Sequence, residues 1–295
     1  MKKFLVFIAK ILLITLLCAV VLDVLYTAVY LKSTKRNKIE YIINSKDKKF
    51  DIVFLGSSRT QNHIVAKLFN DKGIKTYNFG MNGSKLNETA LLLKLMIERN
   101  YKIKNIILDV DLNLNSNSYS KGIKALYMPY LPCSQTIRNH YKSTDEYNKL
   151  AYIPFYRYIE NDAKIGFREM LVSLTHKKSN ALQNFGYFPL KRYGKKLSFD
   201  ITYYSPKKNI AYEEIKAICK KNNIHLIAIA TPMCQECNSD AYFNSIKSVY
   251  PEVYNYEDKV TDDKYFSTCG HMNVEGATLF TTIILNDFIQ HKFNN

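Results

Sequence analysis

Four short segments, residues 51–55, 75–79, 105–110 and 224–230, alternate with stretches whose apolar residues recur at helical spacing. All but 75–79, Lys-Thr-Tyr-Asn-Phe, are rich in Ile, Val and Leu, and the segments stop at turn residues such as Gly56, Gly80 and Pro232, the pattern of buried parallel strands. Between them, Leu91, Leu92, Leu95 and Met96 mark a helix over 86–100 that Ser84 or Asn87 could cap, and further helices fit 64–70, 212–222 and 274–289. A last short strand fits 253–256. Strand and helix in repetition predict an α/β fold, a three-layer arrangement with a parallel sheet of about five strands between helices.

Residues 116–205 break this rhythm. They are rich in Tyr, Lys and Asn, with one helix expected over 154–174. They read as a mainly helical insertion, a cap over strand ends, where loops commonly carry specificity.

The N-terminus does not belong to that core. Residues 11–31 are mostly Leu, Ile, Val and Ala, and at about 1.5 Å per residue they span roughly 31 Å, the thickness of a bilayer's hydrocarbon core. Ala28 follows bulky residues rather than a small-x-small cleavage site, and Thr15-Leu16-Leu17-Cys18 lacks the small residue a lipoprotein site needs. The expected organisation is an uncleaved single-pass anchor over 1–35 and an α/β domain over 36–295 carrying the insertion. Asp23 within the span is costly; it is either protonated or near an interface, or it contacts a membrane partner. Lys2, Lys3 and Lys10 flank one side, and Lys32, Lys35, Arg36 and Lys38 the other, so charge counting leaves orientation open.

The formal net charge is +16. Besides the N-terminal cluster, residues 176–208 carry basic residues from Lys177 and Lys178 to Lys207 and Lys208 against Asp200 alone. This stretch either faces an anionic lipid or acidic polymer or is a solvated face. No nucleic-acid module is visible, and nucleic acid is excluded as a partner.

Of six cysteines, Cys18 lies in the span and Cys219 on an expected helix. In a domain outside the cytoplasm, Cys133, Cys234, Cys237 and Cys269 could form two disulfides. Alternatively Cys234, Cys237, Cys269 and His271 could bind zinc, but a zinc-bound His271 could not act as a base. No metal and no cofactor is assigned. Asp109 and Asp111 at a strand tip would suit magnesium, yet the Gly-Lys-Ser/Thr of a phosphate loop is missing. His63, His140, His176 and His225 lack metal-ligand spacing.

Two segments carry the chemistry. Gly56-Ser57-Ser58-Arg59 follows the first strand, where open α/β sheets place their ligands. His271-Met272-Asn273 opens the last helix. A serine needs a base to become nucleophilic at neutral pH, and histidine is the usual one. Arg59 either binds an anionic group beside Ser58 or pairs at the helix start, and Asn82 is a second candidate for substrate contact. Gly-Ser-Ser after a strand is also a common turn, and a histidine opening a helix is common surface.

With these blocks in order, the chain resembles the SGNH/GDSL hydrolase family over 51–115 and 207–290. It resembles in particular the membrane-anchored bacterial branch linked to cell-surface acyl and acetyl transfer. The resemblance implies a flavodoxin-like sheet, Ser58 as nucleophile, and an oxyanion hole from the N–H groups of Ser58 and Gly80 and the side chain of Asn113, with Asn115 behind it. The family's Asp-x-x-His block departs here: Thr268 stands where the aspartate would orient His271, with Asp262 and Asp263 nearby. The implied activity is a serine esterase or O-acyl(acetyl)transferase working through an acyl-enzyme on a cell-envelope glycan or polymer. Its implied setting is the cytoplasmic membrane, N-terminus inside and catalytic domain outside, with a membrane-bound O-acyltransferase as a possible partner. The alternatives are an inactive SGNH-like accessory or binding protein of a surface-polysaccharide system, and a zinc or redox protein using the cysteines.

Overall fold

The computed structural model describes residues 1–195, 197–238 and 240–293, and the side chains of Asp111, Asn238 and Asp240 lie outside the description, as does Lys196 of the basic cluster. The chain divides into two compact units: 1–45 with 121–178, and 46–120 with 179–295. The expected insertion 116–205 is thus split, its central part belonging with the N-terminal segment and its remainder with the sheet.

The second unit is built on β1 (Lys49–Leu55), β2 (Thr76–Asn78), β3 (Lys102–Asp109), β4 (His225–Ala230) and β5 (Tyr254–Asn255), all parallel, in the order 2-1-3-4-5. Val53 pairs with Tyr77 on one side and Ile106 on the other, and Ile107 with Ile227. Residues 52–55, 106–108 and 227–230 are buried, which is why these runs are continuously apolar rather than alternating. Helix Leu86–Glu98 packs against Ile210–Lys221, whereas Val274–Ile289 packs against Ser58–His63 and Ala66–Asn70. Because the chain leaves β1 in one direction and returns past it to β3, right-handed crossovers put these two helix groups on opposite faces. The direction reverses between β1 and β3, so a crevice opens at their C-terminal ends.

In the first unit the long helix Lys2–Lys32 is exposed along its first half and buries one stripe of its second half, Asp23, Tyr26, Thr27 and Tyr30, at spacings of three and four. It is long and apolar enough to cross a membrane. Asp23 finds partners within its own unit. Its carboxylate pairs with Arg157 at 2.5 Å and accepts the Phe155 N–H at 2.8 Å. The single helix expected over 154–174 is three short ones, Tyr156–Glu160, Asp162–Ile165 and Phe167–Leu174. Asn161 and Gly166 leave helical geometry between them, and a Cβ on Gly166 would strike Asp162.

Candidate functional site

The turn after β1 depends on glycine. Gly56 adopts φ +144°, and a side chain there would run into Thr60 Oγ1 and Asp109. This lets Ser57 cap the following helix, its hydroxyl accepting the Arg59 N–H at 3.2 Å, and makes Ser58 the first helical residue. A helix start leaves backbone N–H groups without intrahelical partners, and the Ser58 N–H makes no bond among the described residues.

His271 arrives from the far end of the chain on the hairpin of Phe266–Thr268 and His271–Met272. Its Nε2 lies 2.8 Å from Ser58 Oγ, and its Nδ1 3.2 Å from Thr268 Oγ1. With Nε2 accepting the serine proton, Nδ1 carries the ring proton and donates it to the threonine. Thr268 therefore fills the orienting position with a neutral hydroxyl. Asp262 and Asp263 do not. Asp262 binds the backbone N–H and ammonium of Lys264, and Asp263 accepts the Leu197 N–H at 3.1 Å.

Three fastenings hold the loop of His271 in place beside Ser58. The Arg59 guanidinium, for which the sequence leaves an anion contact and a pairing at the helix start both open, is buried and donates to the carbonyls of Thr231 at 2.7 Å, Pro232 at 3.1 Å and Gly270 at 3.1 Å. It is a strut between the nucleophile's helix and the loop before His271. A disulfide joins Cys234, in the loop after β4, to Cys269 in the loop before His271, and the Cys234 N–H donates to the Cys269 carbonyl at 3.1 Å. His63, at the end of the helix that begins with Ser58, accepts the Met272 N–H through Nε2 at 3.1 Å. Burial first, and then the charge of Arg59, push His63 well below the usual imidazole range, so it is neutral and carries its proton on Nδ1.

The disulfide also decides among the cysteine alternatives. Two of the sulfurs proposed for zinc are bonded to each other, and Cys133 and Cys237 remain thiols. Among the described residues no group of three or more His, Cys, Asp or Glu side chains is placed to hold a metal ion.

A cavity of about 470 Å³ opens beside Ser58 and His271, lined also by Gly83, Ser84, Lys85, Asn113, Asn115, Phe199 and Tyr204. Another, of about 550 Å³, lies at the opposite ends of the strands among Lys49, Lys75, Lys102 and Lys104. Lys75 and Lys104 there are paired with Asp47 and Asp51, and no Ser, Thr, Cys or His is among its lining residues. The Asn113 side chain faces the first cavity and makes no bond among the described residues, whereas Asn115 accepts the Ser205 N–H at 3.1 Å. Gly80 does not serve as expected. Its N–H donates to Asn78 Oδ1 at 2.9 Å, and its missing side chain makes room for Thr60 and Gln61. Gly83, three residues on at φ +78°, lines the cavity with its N–H unbonded among the described residues. Asn82 is exposed, its N–H held by Gln61 at 2.8 Å, and does not line the cavity.

Sequence reasoning missed Gly83, His63 and the strut role of Arg59. For Gly83 a signal was present, since the block contains two glycines three apart.

No family model matches the chain, and no curated protein matches it. Among solved structures, one described as "a putative platelet activating factor from Streptococcus pneumonia" aligns over 95% of this chain and 98% of its own, at 12% identity and a TM-score of 0.39. Likeness at that level bears on neither fold family nor activity.

Proposed function

We propose that the protein is a membrane-anchored serine esterase or O-acyl(acetyl)transferase of SGNH type, acting on an acylated glycan or polymer of the cell envelope. The observation that carries this reading is the 2.8 Å approach of Ser58 Oγ to His271 Nε2, with Nδ1 of the same ring held by Thr268. The strand order 2-1-3-4-5, with the serine at the tip of β1, agrees with the flavodoxin-like sheet that the family resemblance implies.

In this mechanism Ser58 Oγ attacks the acyl carbon as His271 Nε2 takes its proton. The oxyanion forms against the N–H groups of Ser58 and Gly83 and the Asn113 amide, donors fixed before the charge develops. His271 returns the proton to the leaving alcohol, giving an acyl-serine. Water or a sugar hydroxyl, deprotonated by the same ring, then releases the acyl group and restores the hydroxyl of Ser58. Hydrolysis and transfer use the same residues and differ only in the acceptor.

A disulfide belongs to an oxidising compartment, so the bond between Cys234 and Cys269 supports a catalytic unit outside the cytoplasm. In that setting a membrane-bound O-acyltransferase would supply acyl groups. The test is labelling of the detergent-solubilised full chain by a fluorophosphonate, which reacts only with activated serines. Wild-type labelling that disappears in both Ser58→Ala and His271→Ala is the expected result. A folded chain that stays unlabelled would instead favour the accessory-protein reading, to which the neutral Thr268 lends support.

A further inference from the structure

The helical unit of residues 1–45 and 121–178 carries a set of large apolar side chains that none of its own residues covers. Tyr152 is 73% exposed, Ile159 65% and Phe167 61%, and Ile153, Leu171 and Leu174 are exposed with them. Phe167, Leu171 and Leu174 recur at spacings of four and three on the helix Phe167–Leu174, so they form one stripe. Exposed Lys164 and Arg168 stand in the same stretch, after exposed Glu160 and Asp162.

What this face meets is argued from the helix it flanks. The N-terminal helix has 31 residues and so is about 46 Å long, against roughly 30 Å of hydrocarbon in a bilayer. About 16 Å of it must therefore lie in the headgroup layers or beyond. The helix does not become polar on all sides over that excess. One side of its outer half, Asp23, Tyr26, Thr27 and Tyr30, is covered by its own unit: Arg157 on Asp23 and Thr27, the Tyr158 hydroxyl on Thr27 at 2.8 Å, and the Phe155 ring on Tyr26 at 4.9 Å. The other side, Val24, Leu25 and Leu31, stays exposed and apolar, continuous with Val20 and Val21. The segment packed beside this outer half is therefore held at the depth at which the helix still presents bare Val and Leu.

We infer that the face of Tyr152, Ile153, Ile159, Phe167, Leu171 and Leu174 is a second membrane contact, seated in the headgroup–acyl boundary beside the transmembrane helix. The chemistry suits that layer: an apolar stripe enters the acyl region, Tyr152 offers an amphipathic ring at headgroup level, and Lys164 and Arg168 meet lipid phosphates. The ion pair of Asp23 with Arg157 then has a structural purpose. It fastens the helical segment to the anchor at a fixed depth, and it removes the isolated charge that a membrane would not tolerate. This inference rests on the anchor proposed above.

The chain contains no tryptophan, which gives a direct test in the full-length protein. Single tryptophans are introduced by Leu12→Trp in the span and, separately, by Tyr152→Trp, Ile159→Trp, Phe167→Trp and Leu171→Trp. Each variant is reconstituted into phosphatidylcholine–phosphatidylglycerol vesicles with and without acyl-brominated lipid, and quenching by bromine is compared with quenching by aqueous acrylamide. The expected result is bromine quenching at Leu12→Trp and at the four face positions, with little loss to acrylamide. Quenching at Leu12→Trp alone, with the face positions open to acrylamide, overturns the second contact and leaves the anchor standing. Face positions shielded from both quenchers overturn it in favour of a protein covering that face. An unquenched Leu12→Trp overturns anchor and inference together. Four separate exposed positions keep the answer independent of any one variant that folds poorly.

Discussion

Thr268 Oγ1 stands 3.2 Å from His271 Nδ1, on the side of the ring opposite Ser58. The hydroxyl fixes the ring's tautomer, but in the proposed mechanism it brings no charge to the imidazolium that would form as Ser58 attacks. A neutral hydrogen bond is worth about 1 kcal/mol net and a charge-assisted one about twice that. Thr268→Val is therefore expected to slow serine labelling by roughly fivefold, and Thr268→Asp to accelerate it by roughly fivefold to tenfold at neutral pH. Second-order labelling rates of the three proteins check this, and equal rates would remove Thr268 from the machinery.

Asn113 separates catalysis from folding cleanly. Its side chain faces the cavity and bonds to nothing among the described residues, so its removal leaves no orphaned partner. Asn113→Ala is expected to lower ester turnover by about 100-fold, close to 3 kcal/mol of barrier, with an unchanged urea midpoint. An unchanged turnover would exclude the amide from the oxyanion hole.

Much of this site could be read before folding because strand and loop chemistry is local. The run 51–55 ends in Gly-Ser-Ser, and only glycine tolerates the Gly56 turn, so Ser58 at a strand tip followed from sequence. His271 and the substitution at Thr268 were legible from their spacing of three. What escaped depends on which groups are already satisfied. Gly80 and Gly83 look equivalent in sequence, yet Asn78 occupies one N–H, while the other belongs to a cavity-lining residue and is unbonded among the described residues. Arg59 beside a nucleophile suggests an anion site, but its guanidinium reaches carbonyls more than 170 residues away. Four cysteines allow three pairings, and the bond between Cys234 and Cys269 follows only once the loops before β5 and His271 are neighbours. The broken helices of 154–174 share their cause with Asp23: both serve contacts with the N-terminal helix that no local pattern announces.

The disulfide predicts a stability effect with a catalytic echo. It closes a loop of 35 residues, for which chain entropy gives about 3–4 kcal/mol. Cys234→Ser with Cys269→Ser is expected to lower unfolding stability by that order. It should also slow serine labelling, since Gly270 and His271 follow Cys269 directly and keep only Arg59 and His63 as restraints. Urea midpoints and labelling rates, each with and without reductant, check both halves. Wild type under reductant should approach the variant, and a variant as stable as oxidised wild type would show the bond to be idle.

Glu88 predicts how stability varies with pH. It caps the helix Leu86–Glu98, accepting the N–H groups of Lys85 at 3.1 Å and Ser120 at 2.7 Å, and Lys85 lines the cavity beside Ser58. Burial pushes its carboxyl up to about 7 from the ordinary 4.5, outweighing those hydrogen bonds. The folded state therefore holds a proton that the unfolded chain has lost between about pH 4.5 and 7. The stability this group contributes is present below about 4.5 and is lost as pH rises through 7, a swing of at most about 3 kcal/mol. Glu40, buried and also raised to about 7, acts in the same direction. His63 acts oppositely, since the unfolded chain gains a proton below about 6.5 that buried His63 refuses. Glu88→Gln cannot titrate, so the variant should lose Glu88's share of the difference in urea midpoint between pH 5 and pH 8, while the shares of Glu40 and His63 cancel in the comparison. At pH 8, where wild type must bury the carboxylate, the variant's deficit should be smallest or reversed. An identical pH difference in both proteins would show that Glu88 is not held protonated by its burial.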